Sequence, residues 1–429
     1  MNLKELVGHR FVVDSREVKP GDVFVAIKGN RVDGHDFAKQ AVESGAFAVI
    51  VEKDLGLENQ IIVPNTVEFL GMYSSKIIEK FNPKIVGITG SNGKTTTKEI
   101  VAAVLSAEIP TFKNEGNLNS EIGLPLAIIN SYQGEPLLVL EMAQRNIGDI
   151  EYLCKLFPPD IGVLLNVGSA HVGIAGSVEN IFRGKWQIVE FSKRALVNYD
   201  DERMRCGKCR YFGTIGGDYV LKEKRFNGKS TLVTFATIEG EFYYSMQGYW
   251  TTAMVNSLLV AFGLADMLDI AFNPIKLSTF KPPKGRFNVQ QLGNGFLIDD
   301  TYNASYESFK HAIDELLENF PRPLYAIVGA MKELGEMSKF YHEKLAKLLE
   351  DLDGVIIYDK EEESKDINPS NLLFRSNEES HIVEFIQKKF LNNDFSGTLY
   401  FKASRAVELD KVVEKLANVD RSQLCKIKF

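Results

Sequence analysis

Ile85-Val86-Gly87-Ile88-Thr89-Gly90-Ser91-Asn92-Gly93-Lys94-Thr95-Thr96 carries the strongest local signal in the chain. An apolar strand, Ile85 to Ile88, runs into a glycine-rich turn, and a helix is predicted from Lys98 to about Ala107. Strand, turn and helix in that order form the context a phosphate loop requires. Gly90 and Gly93 let the backbone turn tightly and approach an anion without a Cβ in the way. Successive N–H groups from Ser91 to Thr96 and the helix N-terminus then face the phosphates. Lys94 suits the β- and γ-phosphates, and the Thr95 hydroxyl suits Mg²⁺. The loop departs from the commoner G-x-x-x-x-G-K-[ST], because Ile88 stands where that form has its first glycine.

Outward from this loop the chain divides into three blocks. A central block, residues 83–284, adds apolar strands at Leu137 to Leu140 and Ile161 to Leu165. Continuous apolar runs between helices predict a parallel sheet covered on both faces. Before it, residues 1–82 hold strand-like pieces at Asp22 to Ile27 and Phe47 to Val51 around a short helix, Phe37 to Ser44. Asn82-Pro83 marks the joint, since the residue before proline is pushed out of helical geometry. After it, residues 285–429 alternate strands (Leu324 to Val328, Val355 to Tyr358, Thr398 to Phe401) with helices (Lys339 to Asp351, Glu379 to Phe390, Arg405 to Asn418). That alternation predicts a small doubly wound α/β domain. The fold class expected is therefore α/β in three domains, with a central parallel-sheet P-loop ATPase domain.

The 429 residues are too many for one ordinary core, which agrees with several domains. A formal charge of −7 excludes a nucleic-acid-binding surface over the whole molecule. No apolar run is long enough to span a membrane, and Met1 to Arg10 lack the core of a secretion signal. A cytoplasmic, monomeric protein is expected. Four cysteines are too few for a disulfide scaffold, and Cys206-x-x-Cys209 has no second pair with which to bind zinc.

Glu141 ends an apolar strand near the loop, where a carboxylate can hold Mg²⁺ directly or through water. His171 follows another apolar strand, in Asn166-Val167-Gly168-Ser169-Ala170-His171. Lys185 is, from its surroundings alone, a lysine on a helix.

The T-G-x-x-G-K-T-T form resembles the Mur ligase superfamily, which includes the folylpolyglutamate synthases. Asn166 to His171 resembles that family's N-x-x-x-x-H pattern, which implies His171 as a metal ligand. Lys185 matches the lysine that these ligases carry as a carbamate, an anionic ligand for a second Mg²⁺. Gly285-Arg286 and Asp299-Asp300-Thr301-Tyr302-Asn303-Ala304 resemble the linker and signature of the D-alanyl-D-alanine-adding branch. The match implies Arg286 at ATP phosphate, Asp300 at the ribose, and Asn303 and Asn256 near the base. Gly329 to Glu336, with Lys332 and Glu333, resembles a G-x-M-x-E-L-G stretch of the same branch. Lys402-Ala403-Ser404-Arg405 resembles its K-G-S-R, with Ala403 in place of glycine. Lys332, Glu333, Lys402, Ser404 and Arg405 are thereby implied at the amine substrate. Asp14-Ser15-Arg16 and the run from Pro20 to Gly29 resemble a UDP-binding domain, implying Ser15 and Arg16 as contacts. Thr111 to Pro125 resembles the loop near the muramoyl group, implying Asn117 and Asn119. Glu141 to Ile150 departs from the family's E-M-G-A-N-H-x-G-E-I, with Arg145-Asn146 for Asn-His.

The resemblance spans Ser15 to Arg405 and implies ATP-dependent amide-bond formation, with Mg²⁺. D-alanyl-D-alanine would be added to UDP-N-acetylmuramoyl-tripeptide through an acyl phosphate, in peptidoglycan precursor synthesis. Lys94, Glu141, His171 and Lys185 would be the catalytic set, and domain closure on nucleotide binding is expected. The alternatives within the superfamily are the ligase adding the third peptide residue and a folylpolyglutamate synthase. A GTP switch would need an N-K-x-D, which is missing.

Overall fold

The computed structural model describes residues 3–29, 32–170, 172–390 and 395–416. Three sheets organise them, of four, nine and six strands. The four-stranded sheet is wholly parallel and runs Phe11–Val12, Val23–Val25, Ala48–Val51, Gln60–Ile62. Its two inner strands, VFV and AVIV, are buried on both faces, as all-parallel pairing demands. Helix Thr66–Phe81 closes this unit. Asn65 caps its start by accepting from the Glu68 N–H, and Asn82 ends it in the left-handed conformation at φ 48°. Asn82 therefore leaves helical geometry, as the following proline requires.

The nine-stranded sheet positions the site. In spatial order it runs Gly240–Gln247, Ser230–Thr237, Tyr219–Phe226, Arg210–Gly213, Arg194–Asn198, Ile161–Leu164, Lys84–Thr89, Leu137–Glu141, Thr111–Lys113. Strands from Thr111–Lys113 to Tyr219–Phe226 pair in parallel. The last two strands, Ser230–Thr237 and Gly240–Gln247, pair antiparallel, so the sheet is mostly rather than wholly parallel. The apolar runs at 85–88, 137–140 and 161–164 reveal the parallel part. In Ser230–Thr237 of the antiparallel hairpin, buried Thr231, Val233 and Phe235 instead alternate with more exposed residues, because one face meets solvent.

The six-stranded sheet runs Asn288–Leu292, Gly295–Asp299, Thr398–Lys402, Leu324–Val328, Gly354–Tyr358, Leu372–Ser376. Only its first pair is antiparallel. The expected helix from Arg405 begins instead as a 3-10 turn, Arg405–Val407. Glu408, at φ 59°, breaks it, and α-helix resumes over 410–416. Leu316, Leu324 and Leu345 of this unit join the same apolar cluster as the central sheet, so the two units share a core. No helix among the described residues is long and apolar enough to cross a membrane.

Candidate active site

Strand Lys84–Thr89 lies between strands that come later in the chain, Leu137–Glu141 on one side and Ile161–Leu164 on the other. At such a reversal of strand order a crevice opens beyond the carboxyl ends of the strands. The registers Ile88 opposite Glu141 and Thr89 opposite Leu164 bring three segments to its floor. These are the loop 90–93, the carboxylate of Glu141 and the turn starting at Leu165.

Gly93 stands just before helix Lys94–Leu105 with φ 83°, a conformation costly for any side chain. Asn166 braces the loop from the neighbouring strand. Its Oδ1 accepts from the Asn92 N–H at 2.9 Å, its Nδ2 donates to Asn92 O at 3.0 Å, and its carbonyl accepts from the Ser91 N–H at 3.0 Å. Ser91 Oγ in turn accepts from the Gly168 N–H at 3.0 Å. Lys94 Nζ reaches Gly90 O at 2.7 Å and Ser91 O at 3.3 Å. Although Lys94 keeps some surface, its ammonium is enclosed, and that burial lowers its pKa. Glu141 opposes the shift and Arg286 adds to it.

Glu141 is 1 % exposed. Its backbone N–H donates to Asn114 Oδ1 at 2.8 Å, and its Oε1 accepts from Asn119 Nδ2 at 2.7 Å. Among the described residues its Oε2 has no hydrogen-bond partner, and Lys98 Nζ is 4.0 Å away. That is within ion-pair reach and beyond a hydrogen bond. A buried anionic oxygen left without a donor costs upwards of about 1–3 kcal/mol. A cation beside Oε2 would remove that cost, so the donor set fits a hard divalent ion.

Lys185, on helix Val178–Glu190, is also 1 % exposed and finds no hydrogen-bonding or ion-pair partner among the described residues. Burial, reinforced by Lys94 and opposed by Asp149, drives its pKa well below the ordinary lysine value. One residue earlier, Gly184 packs against Gln144, whose buried amide oxygen and nitrogen both lack partners among the described residues. The departure from the family pattern at 141–150 thus places an unpaired carboxamide in the wall that carries Lys185. Arg145 and Asn146 sit apart from it, their N–H groups donating to Asp149 Oδ2.

The six-stranded unit supplies the opposite wall. Arg286 stacks on Tyr302 at 3.8 Å and brings Nη2 to 3.4 Å from Thr95 Oγ1. Its Nε is buried and has no partner among the described residues, and burial lowers its pKa. Asp300 and Lys402 form one pair, Nζ to Oδ2 at 2.6 Å, with the Tyr400 hydroxyl donating to the same oxygen at 2.9 Å. The register of Asp299 opposite Phe401 enforces this pairing of two residues read separately in the sequence. Lys402 also donates to Asn303 O at 3.1 Å.

Ser305 Oγ approaches Asn92 Oδ1 at 3.3 Å. Glu307 accepts from the Ser169 N–H at 3.1 Å and from its Oγ at 2.8 Å. Gly173 and Gly335 bring two backbones together, with the Gly173 N–H donating to Glu333 O at 2.9 Å. The two units therefore already meet around the phosphate loop.

The other sequence candidates distribute as follows. Asn256 lies on helix Thr252–Leu268, its buried Oδ1 without a partner among the described residues. Thr96 is buried under the loop. Lys332 is held by Glu361 and Glu363 at 2.9 and 2.8 Å, and Glu333 adopts φ 63°. Ser404 Oγ accepts from the Lys332 N–H, while exposed Arg405 pairs with Asp410. Ser15 opens a 3-10 turn capped by Asp14, to which the exposed Arg16 is paired. Asn117 is exposed, beside Asn119. His171 lies outside the described residues. Asn166, Glu307, Lys98 and Asn114 were not singled out as site residues in the sequence. Of these, Asn166 alone had a signal, its place after an apolar strand.

A cavity of about 600 Å³ opens beside Thr95, lined in part by Glu99, Lys113, Lys276, Phe280 and Lys281. It meets the phosphate loop only at Thr95, and Asn256, Asp300 and Asn303 lie outside its lining. The residues gathered at the crevice therefore lie mostly apart from this cavity.

Known proteins resemble this chain along most of its length. The Mur ligase family, catalytic domain, matches residues 9–107, the Mur ligase middle domain 88–250, and the Mur ligase, glutamate ligase domain, 285–388. The UDP-N-acetylmuramoyl-tripeptide--D-alanyl-D-alanine ligase of Bacillus subtilis (strain 168) is 30% identical, over 96% of this chain and 94% of its own. The chain belongs to the Mur ligase family. As a Mur ligase it is an enzyme of the ligase class with three α/β units. The crystal structure of a MurF ligase from Thermotoga maritima in complex with ADP superposes with TM-score 0.90 at 40% identity, covering 96% of this chain and 98% of that one. A MurF from Acinetobacter baumannii gives 0.84 at 28%, covering 95% and 93%.

Proposed function

We propose that this Mur ligase adds D-alanyl-D-alanine to UDP-N-acetylmuramoyl-tripeptide, consuming ATP, as a step of peptidoglycan precursor synthesis. The carrying observation is likeness along nearly the whole chain to ligases of that name, at 30% identity over 96% of it in the Bacillus subtilis case. The crevice supplies the chemistry such a reaction needs.

The triphosphate lies on Gly90, Ser91, Asn92, Gly93, Thr95 and Thr96, with Lys94 moving from the loop carbonyls to the phosphates. The acceptor carboxylate attacks the γ-phosphorus. An acyl C–O–P linkage forms as the bond to the β-phosphate oxygen breaks, and ADP leaves. The amine nitrogen of D-alanyl-D-alanine then attacks the acyl carbon and expels phosphate. Lys94 and Arg286 neutralise charge on the transferring group, and the enclosed site makes that neutralisation effective. Asp300, oriented by Lys402 and Tyr400, serves the ribose, with Asn256 and Asn303 near the base. Lys332, Glu333, Ser404 and Arg405 face the incoming dipeptide, while Ser15, Arg16, Asn117 and Asn119 face the UDP-muramoyl acceptor.

Thr95, Glu141 and His171 would hold Mg²⁺, and a carbamate on Lys185 would hold a second ion. Bound there, Mg²⁺ would supply Lewis-acid neutralisation of the phosphoryl oxygens. The unpaired Glu141 oxygen and the depressed Lys185 pKa both support the fit, since only a neutral amine adds CO₂. The enzyme works in the cytoplasm as a monomer, and the three units divide near residues 82 and 284.

The test is a panel of UDP-muramoyl tripeptides differing in the third residue, alongside folates and UDP-muramoyl dipeptide, each with its amine partner. Phosphate release and product mass are read. D-alanyl-D-alanine-dependent product from a tripeptide is expected. Product from a folate or dipeptide alone overturns the reading.

A further inference from the structure

One cluster lies outside the ligase chemistry. The turn between Arg205 and Arg210 carries Cys206, exposed, and Cys209, half-buried, with their sulfurs 3.0 Å apart. Gly207, at φ 72°, folds the turn so that the two side chains converge. Tyr211 holds it there: its hydroxyl oxygen accepts from the Cys206 and Gly207 N–H groups, both at 2.8 Å, and its O–H points to Cys206 Sγ at 3.8 Å. We propose that Cys206 and Cys209 form a reversible dithiol–disulfide pair, a redox-modification site on the central domain that low-molecular-weight disulfides oxidise.

The environment divides the roles. Partial burial opposes ionisation of Cys206, but the Cys209 thiol, the Lys208 N–H and the Tyr211 hydroxyl outweigh it and hold its pKa below the usual thiol range. Burial, together with Cys206, pushes Cys209 up to about 12. A thiolate is the nucleophile, so the exposed Cys206 attacks first. Its sulfur bonds to one sulfur of the oxidant, the oxidant's S–S bond breaks, and one small thiol leaves. Cys209 gives up its proton and attacks the Cys206 sulfur, which releases the second small thiol and closes the protein disulfide. Two protein thiols are oxidised, one external disulfide is reduced, and both protons end on the released thiols. Cys154 takes no part, because it is buried and its pKa is pushed up to about 12 by that burial.

Among the described residues no group of three or more His, Cys, Asp or Glu could hold an ion, so none of them makes the turn half of a metal site. Nor is it isolated from the crevice. The preceding strap carries Arg203, which donates to Val167 O at 3.0 Å, and Asn198, which donates to Leu165 O at 3.0 Å, on either side of Asn166.

The experiment uses the full chain with Cys425→Ser, so that only the described cysteines remain. The protein is treated with oxidised glutathione, and intact mass and peptide maps are read. The expected product has lost two hydrogens, with Cys206 linked to Cys209, and dithiothreitol restores both thiols. Cys209→Ser should trap a single glutathione on Cys206, whereas Cys206→Ser should react at least tenfold more slowly. Glutathione adducts without an internal bridge, no reaction at either thiol, or faster trapping at Cys209 each overturn the proposal. Cys206 and Cys209 lie in a surface turn, so the variants are expected to keep the parent circular dichroism spectrum.

Discussion

Replacing Asn166 by alanine should weaken nucleotide binding without touching any group assigned to the phosphates. Its carboxamide makes two hydrogen bonds to the Asn92 peptide, at 2.9 and 3.0 Å. Each contributes about 0.5–1.5 kcal/mol net, so the pair fixes the loop by roughly 2 kcal/mol. The backbone bond from the Ser91 N–H to Asn166 O at 3.0 Å survives the substitution, so the loop loosens rather than unfolds. If nucleotide binding must then restore the lost order, about 2 kcal/mol corresponds to an ADP Kd weakened about 30-fold. Isothermal titration with ADP measures it, with thermal unfolding recorded on the same samples. An ADP affinity within about twofold of the parent, in a protein that keeps its fold, would refute the bracing argument.

Further outcomes follow from the same site. Lys94→Ala should abolish acceptor-dependent ADP formation, and unchanged turnover rejects the assigned phosphate site. Glu141→Gln should raise the Mg²⁺ concentration for half-maximal rate by about tenfold or more while leaving stability equal or higher, since a buried charge is removed. Superimposable Mg²⁺ titrations would count against it. Lys185 has a folded pKa depressed chiefly by burial, so between that value and the ordinary lysine pKa the unfolded chain binds more protons. Stability therefore rises with pH through that window, and the burial penalty is greatest below it. In CO₂-free buffer, Lys185→Met should raise Tm near about pH 6, with the gain shrinking towards about pH 10; a gain independent of pH contradicts the assignment. Gly173→Ala would put a Cβ 2.4 Å from the Gly335 nitrogen, so ligation should fall at least tenfold, with a smaller loss of ADP binding because the loop 90–96 stays intact. Equal losses in both would show that the contact merely holds the fold.

The strand, loop and helix around Gly90 to Thr96 were legible because their signal is local: an apolar run, glycines at fixed spacing, then Lys-Thr. Glu141 was legible for the same reason, as the polar end of an apolar strand. What could not be read were contacts made across long stretches of chain. Asn166 meets Asn92 across 74 residues, and Glu307 meets Ser169 across 138. Asp300 and Lys402 belong to separate motifs about a hundred residues apart, and only the parallel pairing of their strands brings them into one ion pair. Lys185 shows a further limit. Its helix is amphipathic, yet nothing in the neighbouring residues marks this lysine for the buried side; only resemblance picked it out. The hairpin at 230–247 has no such local mark: Leu232-Val233 and Phe235-Ala236 break strict alternation in Ser230–Thr237, although Thr231, Val233 and Phe235 share the buried face.

The meeting of Gly173 with Gly335 has a genetic consequence. A Cβ on the first would sit 2.4 Å from the second's nitrogen, and a Cβ on the second 2.9 Å from the first's Cα. Each partner is already the smallest residue there is. A lesion at either position therefore has no size-compensating suppressor at the other, and revertants should restore the original glycine or move the main chain of one whole unit.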